Sequence, residues 1–428
     1  MGKFTQIPET AAATGPIAGL RGTGGWSADE RPTNFREYIL WRNPNGTAPL
    51  TALMSKMGKE STDDPEFHWW DEPNDLVVMT VNGVLDDADT VVVVDGADPS
   101  ATDPKALRGN ALNLKIGDLL MVEGNAEAQS ILNHEIIMVT GVTNGTTFTV
   151  ARAQAGTSAV VGANSILDNS RLLLMGSAYA EGADAANATS RNPIKYTNYC
   201  QIFKTSYEIT KTALKTYART GKVESNDKKR KVFDHSRQLE LAMMFGQAYE
   251  ALDSGGQPIR FMGGLREFIP ADNTNIFGAG VTVTDYMDAL TPVFDYDTPA
   301  GDERIIFCGN GYLNSLNQLA QYESGIRFGA VIKQYGMNLR EFILPQGRVF
   351  LKTHPLMNRH PGFTYSGFII DASALKYRYL RDTMAEDNIQ APGSDKKKGQ
   401  WLTECSLEVR YGGLTLGYHG NFSSTAAV

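Results

Sequence analysis

Residues 68–72, His-Trp-Trp-Asp-Glu, form the cluster whose side chains are best suited to chemistry. Tryptophans stack on sugar rings, and two carboxylates can cleave a glycosidic bond as acid and base or nucleophile. Adjacent residues of an extended segment point to opposite faces, so Asp71 and Glu72 would not readily converge on one bond. We therefore predict that Trp69 and Trp70 are aromatic anchors at a subunit contact, where tryptophan is enriched. A carbohydrate-active enzyme is a remote alternative.

Other patterns also argue against an active site. The chain lacks a G-x-x-x-x-G-K-[ST] phosphate loop and a G-x-S-x-G nucleophile elbow. His134 and Glu135 have no second histidine at zinc spacing, which favours a surface or cross-strand pair. The acidic run at 86–89 lacks EF-hand spacing and favours a solvated turn. We predict no catalytic residue, cofactor-binding residue or metal ligand, and hence a protein that is not an enzyme.

Two short basic runs, 228–231 and 396–398, could contact phosphate. Most runs of this kind are solvated faces, and a non-specific phosphate contact is the second interpretation. The formal net charge of −8 argues against a dedicated nucleic-acid binder.

The composition is that of a globular protein of several units. Of 428 residues, 42% are hydrophobic and 21% are charged, and the length predicts roughly two to four units at about 150 residues each. Cys200, Cys308 and Cys405 are too far apart for metal-ligand spacing and odd in number, which predicts reduced, mostly buried thiols in a protein made in a cytoplasm. No signal peptide or membrane span is expected.

Residues 1–60 are not expected to form a domain, because their apolar residues are sparse and aperiodic. The aromatic exceptions are Trp26, Phe35, Tyr38 and Trp41. One interpretation is a disordered tail. The other is an extended arm that buries these aromatics on a neighbouring subunit, because a segment with so little core of its own must be held by something else.

Residues 76–152 carry the pattern of a small β-rich unit. Asn82-Gly83 and Asn144-Gly145 separate apolar runs, and Asn-Gly is the strongest short hairpin signal. Short strands at this spacing predict a small barrel or sandwich.

The strongest helix signal covers about residues 225–252, with cap candidates at 225–227. Such a helix would be roughly 40 Å long and would act as a structural strut. One broad face, which we predict to pack the helix, carries Val232, Leu239, Met243 and Tyr249. Helix and strand signals alternate after residue 280, so the fold class is α+β.

Several sequence blocks, weak singly but ordered and spaced together, resemble the major capsid proteins of tailed bacteriophages with the Hong Kong 97-type fold. The resemblance is to the subgroup with a β-domain inserted in the extended loop. Its blocks are IGDLLMVEG (116–124), HEIIMVTGV (134–142), TTFTVARAQAGTSA (146–159), YCQIFKTSYEIT (199–210), RFMGGLREFI (260–269), VFLKTHPLMN (349–358) and LTECSLEVRY (402–411). The AQAG at 153–156 departs from the RG-x-x-G-like pattern expected after Arg152.

The resemblance implies a division of the chain. It gives an N-terminal arm (1–60), an extended loop (61–200) with the inserted domain at about 76–167, a peripheral domain (201–280) with the spine helix at 222–252, a mainly axial domain (281–380) and closing strands of the peripheral domain (381–428).

The resemblance also implies a function. The chain would be a structural subunit that self-assembles into pentamers and hexamers of an icosahedral shell around double-stranded DNA. Its partners would be other copies, a portal, scaffold or decoration proteins, and DNA through weak non-specific contact, with no membrane. Its location would be the virion capsid, after synthesis in the bacterial host cytoplasm. An encapsulin-like compartment or another virion part, such as a tail or decoration protein, is the alternative.

Overall fold

A computed structural model describes the chain in ten ranges: 58–72, 78–95, 109–123, 134–159, 165–184, 193–217, 221–278, 280–323, 331–334 and 337–423. The aromatic residues Trp26, Phe35, Tyr38 and Trp41 lie outside these ranges, as do residues 1–57 in general.

A four-stranded sheet and a long helix form the first layer pair. The sheet has the order β1-β19-β20-β10. Its strands are β1 (Lys59–Ser61), β10 (Gln201–Thr210), β19 (Leu375–Asp387) and β20 (Lys396–Val409). Helix α1 (Lys211–Lys215) follows β10, and helix α2 (Val223–Phe245) is the predicted spine helix. Leu239 and Met243 of α2 lie in the apolar core beside Phe203 of β10 and Leu407 of β20.

Helix α2 ends at Phe245, seven residues before the predicted end at 252. Its C-cap is Gly246, whose ψ of 156° turns the backbone away from the helix axis. Gly264 then passes so close that a Cβ there would lie 2.7 Å from the Ala242 carbonyl oxygen. The prediction that Tyr249 packs the helix is therefore wrong, because Tyr249 begins a strand and is exposed. Val232 is half-buried.

A two-stranded hairpin follows the helix. It consists of β11 (Tyr249–Leu252) and β12 (Pro258–Phe261), and the short helix α3 (Leu265–Phe268) comes next.

A seven-stranded sheet forms the second body of the fold. Its order is β13-β21-β18-β14-β17-β16-β15. The strands are β13 (Thr274–Ile276), β14 (Glu303–Cys308), β15 (Val331–Gln334), β16 (Met337–Leu344), β17 (Gly347–Thr353), β18 (Gly367–Ile370) and β21 (Gly417–Gly420). Helices α4 (Val283–Phe294) and α5 (Asn310–Glu323) contribute Tyr286 and Tyr312 to a core with Ile306 of β14. Ile305 and Phe307, on the opposite face of the pleat, join the core beneath α2.

Two strands belong to a different sheet from the one that the predicted domain limits imply. Strand β19 starts at Leu375 and belongs to the four-stranded sheet, although residues up to 380 were expected in the axial domain. Strand β21 pairs with β13 and β18 of the seven-stranded sheet, although residues 381–428 were expected to close the peripheral domain. Within the described part of 381–428, strand β20 and the end of β19 belong to the four-stranded sheet. Apolar pattern identifies a strand but does not identify its partner strand, which explains both differences.

Six strands close into a small barrel. Their order is β3-β8-β5-β6-β7-β4. The strands are β3 (Val78–Thr80), β4 (Val91–Val93), β5 (Asp118–Glu123), β6 (Ile136–Val142), β7 (Thr147–Ala151) and β8 (Arg171–Ser177). Asn82 N donates to Val93 O (2.9 Å) and Asp95 N donates to Thr80 O (2.8 Å), which joins the two outer strands. The interior has its own apolar core, with Phe148 and Leu172 fully buried.

The barrel extends beyond the limit of 167 that the sequence predicted. Strand β8 lies between β3 and β5 and pairs with both, so the sheet reaches Ser177. The Asn144-Gly145 turn joins β6 to β7, as the sequence predicted. A separate ribbon of β2 (Glu66–Asp71) and β9 (Ile194–Tyr199) brackets the barrel in the sequence.

Candidate assembly surfaces

Trp69 and Trp70 lie on opposite faces of strand β2. Trp69 is buried in its own chain, with its ring 5.8 Å from Tyr196, 5.8 Å from Phe67 and 5.7 Å from Phe268. The prediction that Trp69 is an assembly contact is wrong, because the pleat turns its side chain into the core. Trp70 is 60% exposed and has the Lys195 ammonium 6.0 Å from its ring centroid. Trp70 therefore stays a candidate anchor.

The carboxylates next to these tryptophans differ in burial, with Asp71 half-buried and Glu72 exposed. Asp71 accepts a hydrogen bond from the backbone N–H of Gly412, and burial raises the pKa of Asp71. This contact fixes the end of β2 to the turn after β20. The geometry gives no support to the alternative of a glycoside-cleaving site.

The basic runs are paired with carboxylates at one end of the four-stranded sheet. Lys396 and Lys398 lie 3.0 Å from Glu208, and Lys397 lies 2.6 Å from Glu224. Lys228, at the start of α2, lies 2.9 Å from Asp387 and 3.2 Å from Glu224. These contacts neutralise much of both runs, and the structure therefore favours the solvated-face interpretation over a phosphate contact.

Lys397 and then Lys228 stabilise the charged form of Glu224, and this lowers its pKa. The hydrogen bonds from Tyr207 and Lys228 lower the pKa of Asp387 in the same way. The group of charges thus fastens the first turn of α2 to the ends of β19 and β20.

Two buried histidines fix α2 to the sheets. The His235 ring lies between Thr205 of β10 (3.0 Å from Nδ1) and Thr403 of β20 (2.7 Å from Nε2), and burial lowers the pKa of His235. His354 accepts from Leu356 N at Nδ1, so its Nε2–H donates to Glu240 of α2 (2.8 Å). No sequence pattern predicts these contacts.

The barrel contains a buried ion pair where the sequence predicted a surface or cross-strand pair at 134–135. Arg152 donates through Nε and Nη2 to the two oxygens of Glu135, each at 2.7 Å. Its remaining donors reach Asp86 O (2.7 Å), Asp89 O (3.3 Å) and Ser165 Oγ (2.8 Å). The 86–89 turn is thus held by its carbonyls.

Cys200, Cys308 and Cys405 are free and buried, as predicted from their spacing. Across the ranges that the structure describes, no cluster of three or more histidine, cysteine or acidic side chains could hold a metal ion. None of the helices in those ranges is both long and apolar enough to span a bilayer.

Comparison with known proteins identifies the family. A family model described as SU10 major capsid protein matches residues 19–413. The chain belongs to this family, and it is therefore a major capsid protein of a bacteriophage. A curated major capsid protein of Pseudomonas phage PaMx41 is 27% identical over 379 residues, which cover 86% of this chain and 83% of that protein.

Solved structures similar to this chain include phage shells and one encapsulin. The shell of Mycobacterium phage Bobi aligns with 92% of this chain and 96% of its own at 8% identity and a TM-score of 0.42. The native GTA particle capsid aligns with 95% and 100% at 8% identity and a TM-score of 0.44. The SrpI encapsulin of Synechococcus elongatus aligns with 55% and 77% at 11% identity and a TM-score of 0.40.

The family match confirms the resemblance to phage major capsid proteins, and the β-domain inserted in an extended loop stays a prediction. The protein is a structural subunit of the icosahedral virion shell, and its architecture is α+β, as predicted. The family match also favours the capsid over the encapsulin-like, tail, decoration and carbohydrate-enzyme alternatives.

Proposed function

We propose that copies of this chain assemble into pentamers and hexamers that tile a closed shell around double-stranded DNA. The family match over residues 19–413 carries this proposal. The chain acts through its surfaces, without a catalytic step. Its partners are a portal, a scaffold or decoration proteins, and it is made in the host cytoplasm, in keeping with its three free thiols.

The contact with DNA is weak and non-specific in this proposal. The net charge of −8 and the pairing of Lys228 and Lys396–Lys398 with carboxylates support it, since few of these cations stay available to phosphates.

Four roles are assigned to segments. The arm ends before β1, because Lys59 and Glu60 of the predicted 1–60 segment pair with β19. It contacts neighbours through Trp26, Phe35, Tyr38 and Trp41, and Trp70 adds an anchor on the extended loop. Helix α2 and the four-stranded sheet form the peripheral domain, and the seven-stranded sheet forms most of the axial domain. The barrel is an inserted domain that braces neighbouring capsomers. Its own core and its closed strands support this assignment.

Sedimentation and electron microscopy of freshly expressed protein test the assembly. We expect capsomers or closed shells, if necessary with a scaffold partner present. A single species of 46.7 kDa at all salt and protein concentrations would contradict the proposal.

Replacing residues 78–177 with a short Gly-Ser linker tests the role of the barrel. We expect the two larger sheets to fold, and any shells to lose resistance to heat. A deletion variant whose remaining body is unfolded would show that the barrel is part of the main core.

A further inference from the structure

The hairpin of β11 and β12 presents an uncovered apolar face. Tyr249 pairs with Phe261 and Ala251 pairs with Ile259, so all four side chains lie on the same face. Tyr249 is 62% exposed, Ile259 is 43% exposed and Phe261 is 41% exposed. The rings of Tyr249 and Phe261 lie 6.4 Å apart. This surface, Tyr249, Ile259 and Phe261, is called the hairpin face below.

The hairpin is a well-fixed element. In its turn, the Asp253 carboxylate accepts from Gly255 N (2.8 Å) and Gln257 N (2.9 Å). On the opposite face, Arg260 donates to Glu250 at 3.1 Å. The strand end is held where Met262 N donates to the Gln201 side chain at 3.1 Å. The hairpin face is therefore a formed platform, and its side chains are not exposed through fraying.

Removing exposed apolar side chains from water is favourable, so this face is suited to bind a partner. The hairpin face carries no charge, and an occupant that fits it presents apolar side chains. Residues 1–57 lie outside the described ranges, and residues 35–41, FREYILW, hold three of their five aromatic side chains. The 16 residues between Trp41 and the first described residue, Gly58, span up to roughly 55 Å when extended, which sets the reach of this run from the body.

We propose that the hairpin face binds the aromatic segment 35–41 of the N-terminal arm, with Phe35, Tyr38 and Trp41 as anchors. The inference rests on the proposed role of the arm in assembly. It explains two features together, the uncovered face of a rigid hairpin and an aromatic run with no core of its own. Aromatic side chains suit such a contact, because they bury a large area.

A photo-reactive phenylalanine at position 261 of the full chain tests the contact directly. We expect cross-linked peptides from residues 1–57, including the 35–41 run. The matched control carries the same group at Leu252, which is 70% exposed and on the opposite face of the hairpin. Mixing heavy and light isotope-labelled copies identifies the source of the arm, and either source supports the proposal. Cross-links from position 261 only to other segments or other proteins, or none, would overturn it.

Substitutions give a second measure. In a chain with Phe35→Ser and Trp41→Ser, we expect the cross-linked fraction at position 261 to fall at least about tenfold, the change produced by ~1.4 kcal/mol. We expect Ile259→Asp to impair shell formation and Leu252→Asp to leave it intact, with both variants keeping the wild-type melting temperature. Equal cross-linking with and without the arm aromatics would overturn the inference. Failure of the wild-type protein to form shells would instead contradict the proposed function, because the cross-link is scored on unassembled chains as well.

Discussion

Tyr207 reaches across Gly399 and donates a hydrogen bond to Asp387, which lies two strands away. The register places Tyr207 opposite Gly399 and Gly399 opposite Asp387. A Cβ at Gly399 would lie 2.6 Å from Cζ of the tyrosine ring. The absence of a side chain at this position therefore makes room for the ring. Lys228 of α2 completes the contact by binding the other Asp387 oxygen at 2.9 Å.

Gly399→Ala should displace the Tyr207 ring and destabilise the protein by about 1–3 kcal/mol, the usual cost of overpacking. Thermal unfolding measures the change. Tyr207→Phe is the matched control, because it keeps the ring and removes only the hydrogen bond, at a cost of ~1 kcal/mol. If Gly399→Ala melts at the wild-type temperature, the ring does not cross at this point.

Acid should weaken the end of the sheet where these charges meet. The folded-state pKa values of Asp387 and Glu224 are lowered by their hydrogen bonds to Tyr207, Lys228 and Lys397. Their stabilisation is therefore fully present above the unfolded pKa of about 4 and is lost as pH falls through the folded values. We expect the urea midpoint to fall between pH 5 and pH 3, and to fall less in Asp387→Asn.

Asp395→Asn is the control for this pH dependence, because Asp395 makes only a long surface contact of 3.8 Å with Lys211. An acid response that is the same in Asp387→Asn and in the wild type would show that other carboxylates are responsible.

Met243→Asp should give insoluble protein or failed assembly. Met243 is 1% exposed in the core under α2, and an unpaired charge at such a position costs several kcal/mol. Leu241→Asp, on the same helix at 45% exposure, should be much milder. Soluble yield and shell formation are the measurements. If the two variants behave equally, the face of α2 that carries Met243 does not pack against the sheet.

Arg152→Met should destabilise the barrel by about 3–5 kcal/mol, because it leaves Glu135 buried without its cation. Adding Glu135→Leu should restore most of the loss, since an apolar pair of similar volume avoids the buried charge. Calorimetry of the full chain and of an excised 76–184 segment tests this. A double variant as unstable as Arg152→Met alone would mean that the donated bonds to the 86–89 turn matter more than the ion pair.

Local chemistry explains which parts of the fold could be predicted. The Asn144-Gly145 hairpin and the strands around it follow from turn residues and alternating apolar side chains, which act within a few residues. The predicted helix extends to residue 252 because the apolar spacing continues past Phe245. The helix ends for a tertiary reason, the close passage of Gly264 over Gly246, where Gly264 N donates to Gly246 O at 2.9 Å.

The candidate site shows the same limit. Alternation along β2 puts Trp69 inside when Trp70 is outside, although the prediction treated both tryptophans as assembly contacts. Contacts such as His354 with Glu240 join residues 114 positions apart, and no local pattern marks either partner. The sequence pattern does not predict the hairpin face, because the apolar spacing places Tyr249 on the helix.

The ribbon of β2 and β9 has a mechanical consequence. The chain leaves the body after Asp71 and returns at Ile194, so within the described ranges this six-pair ribbon is the covalent route between barrel and body. Its foot is clamped by Asn198, whose side chain bonds Gly263 and Leu407. A force on the barrel is therefore transmitted to the body through this ribbon. The stiffness of the ribbon limits how far the barrel moves relative to the body.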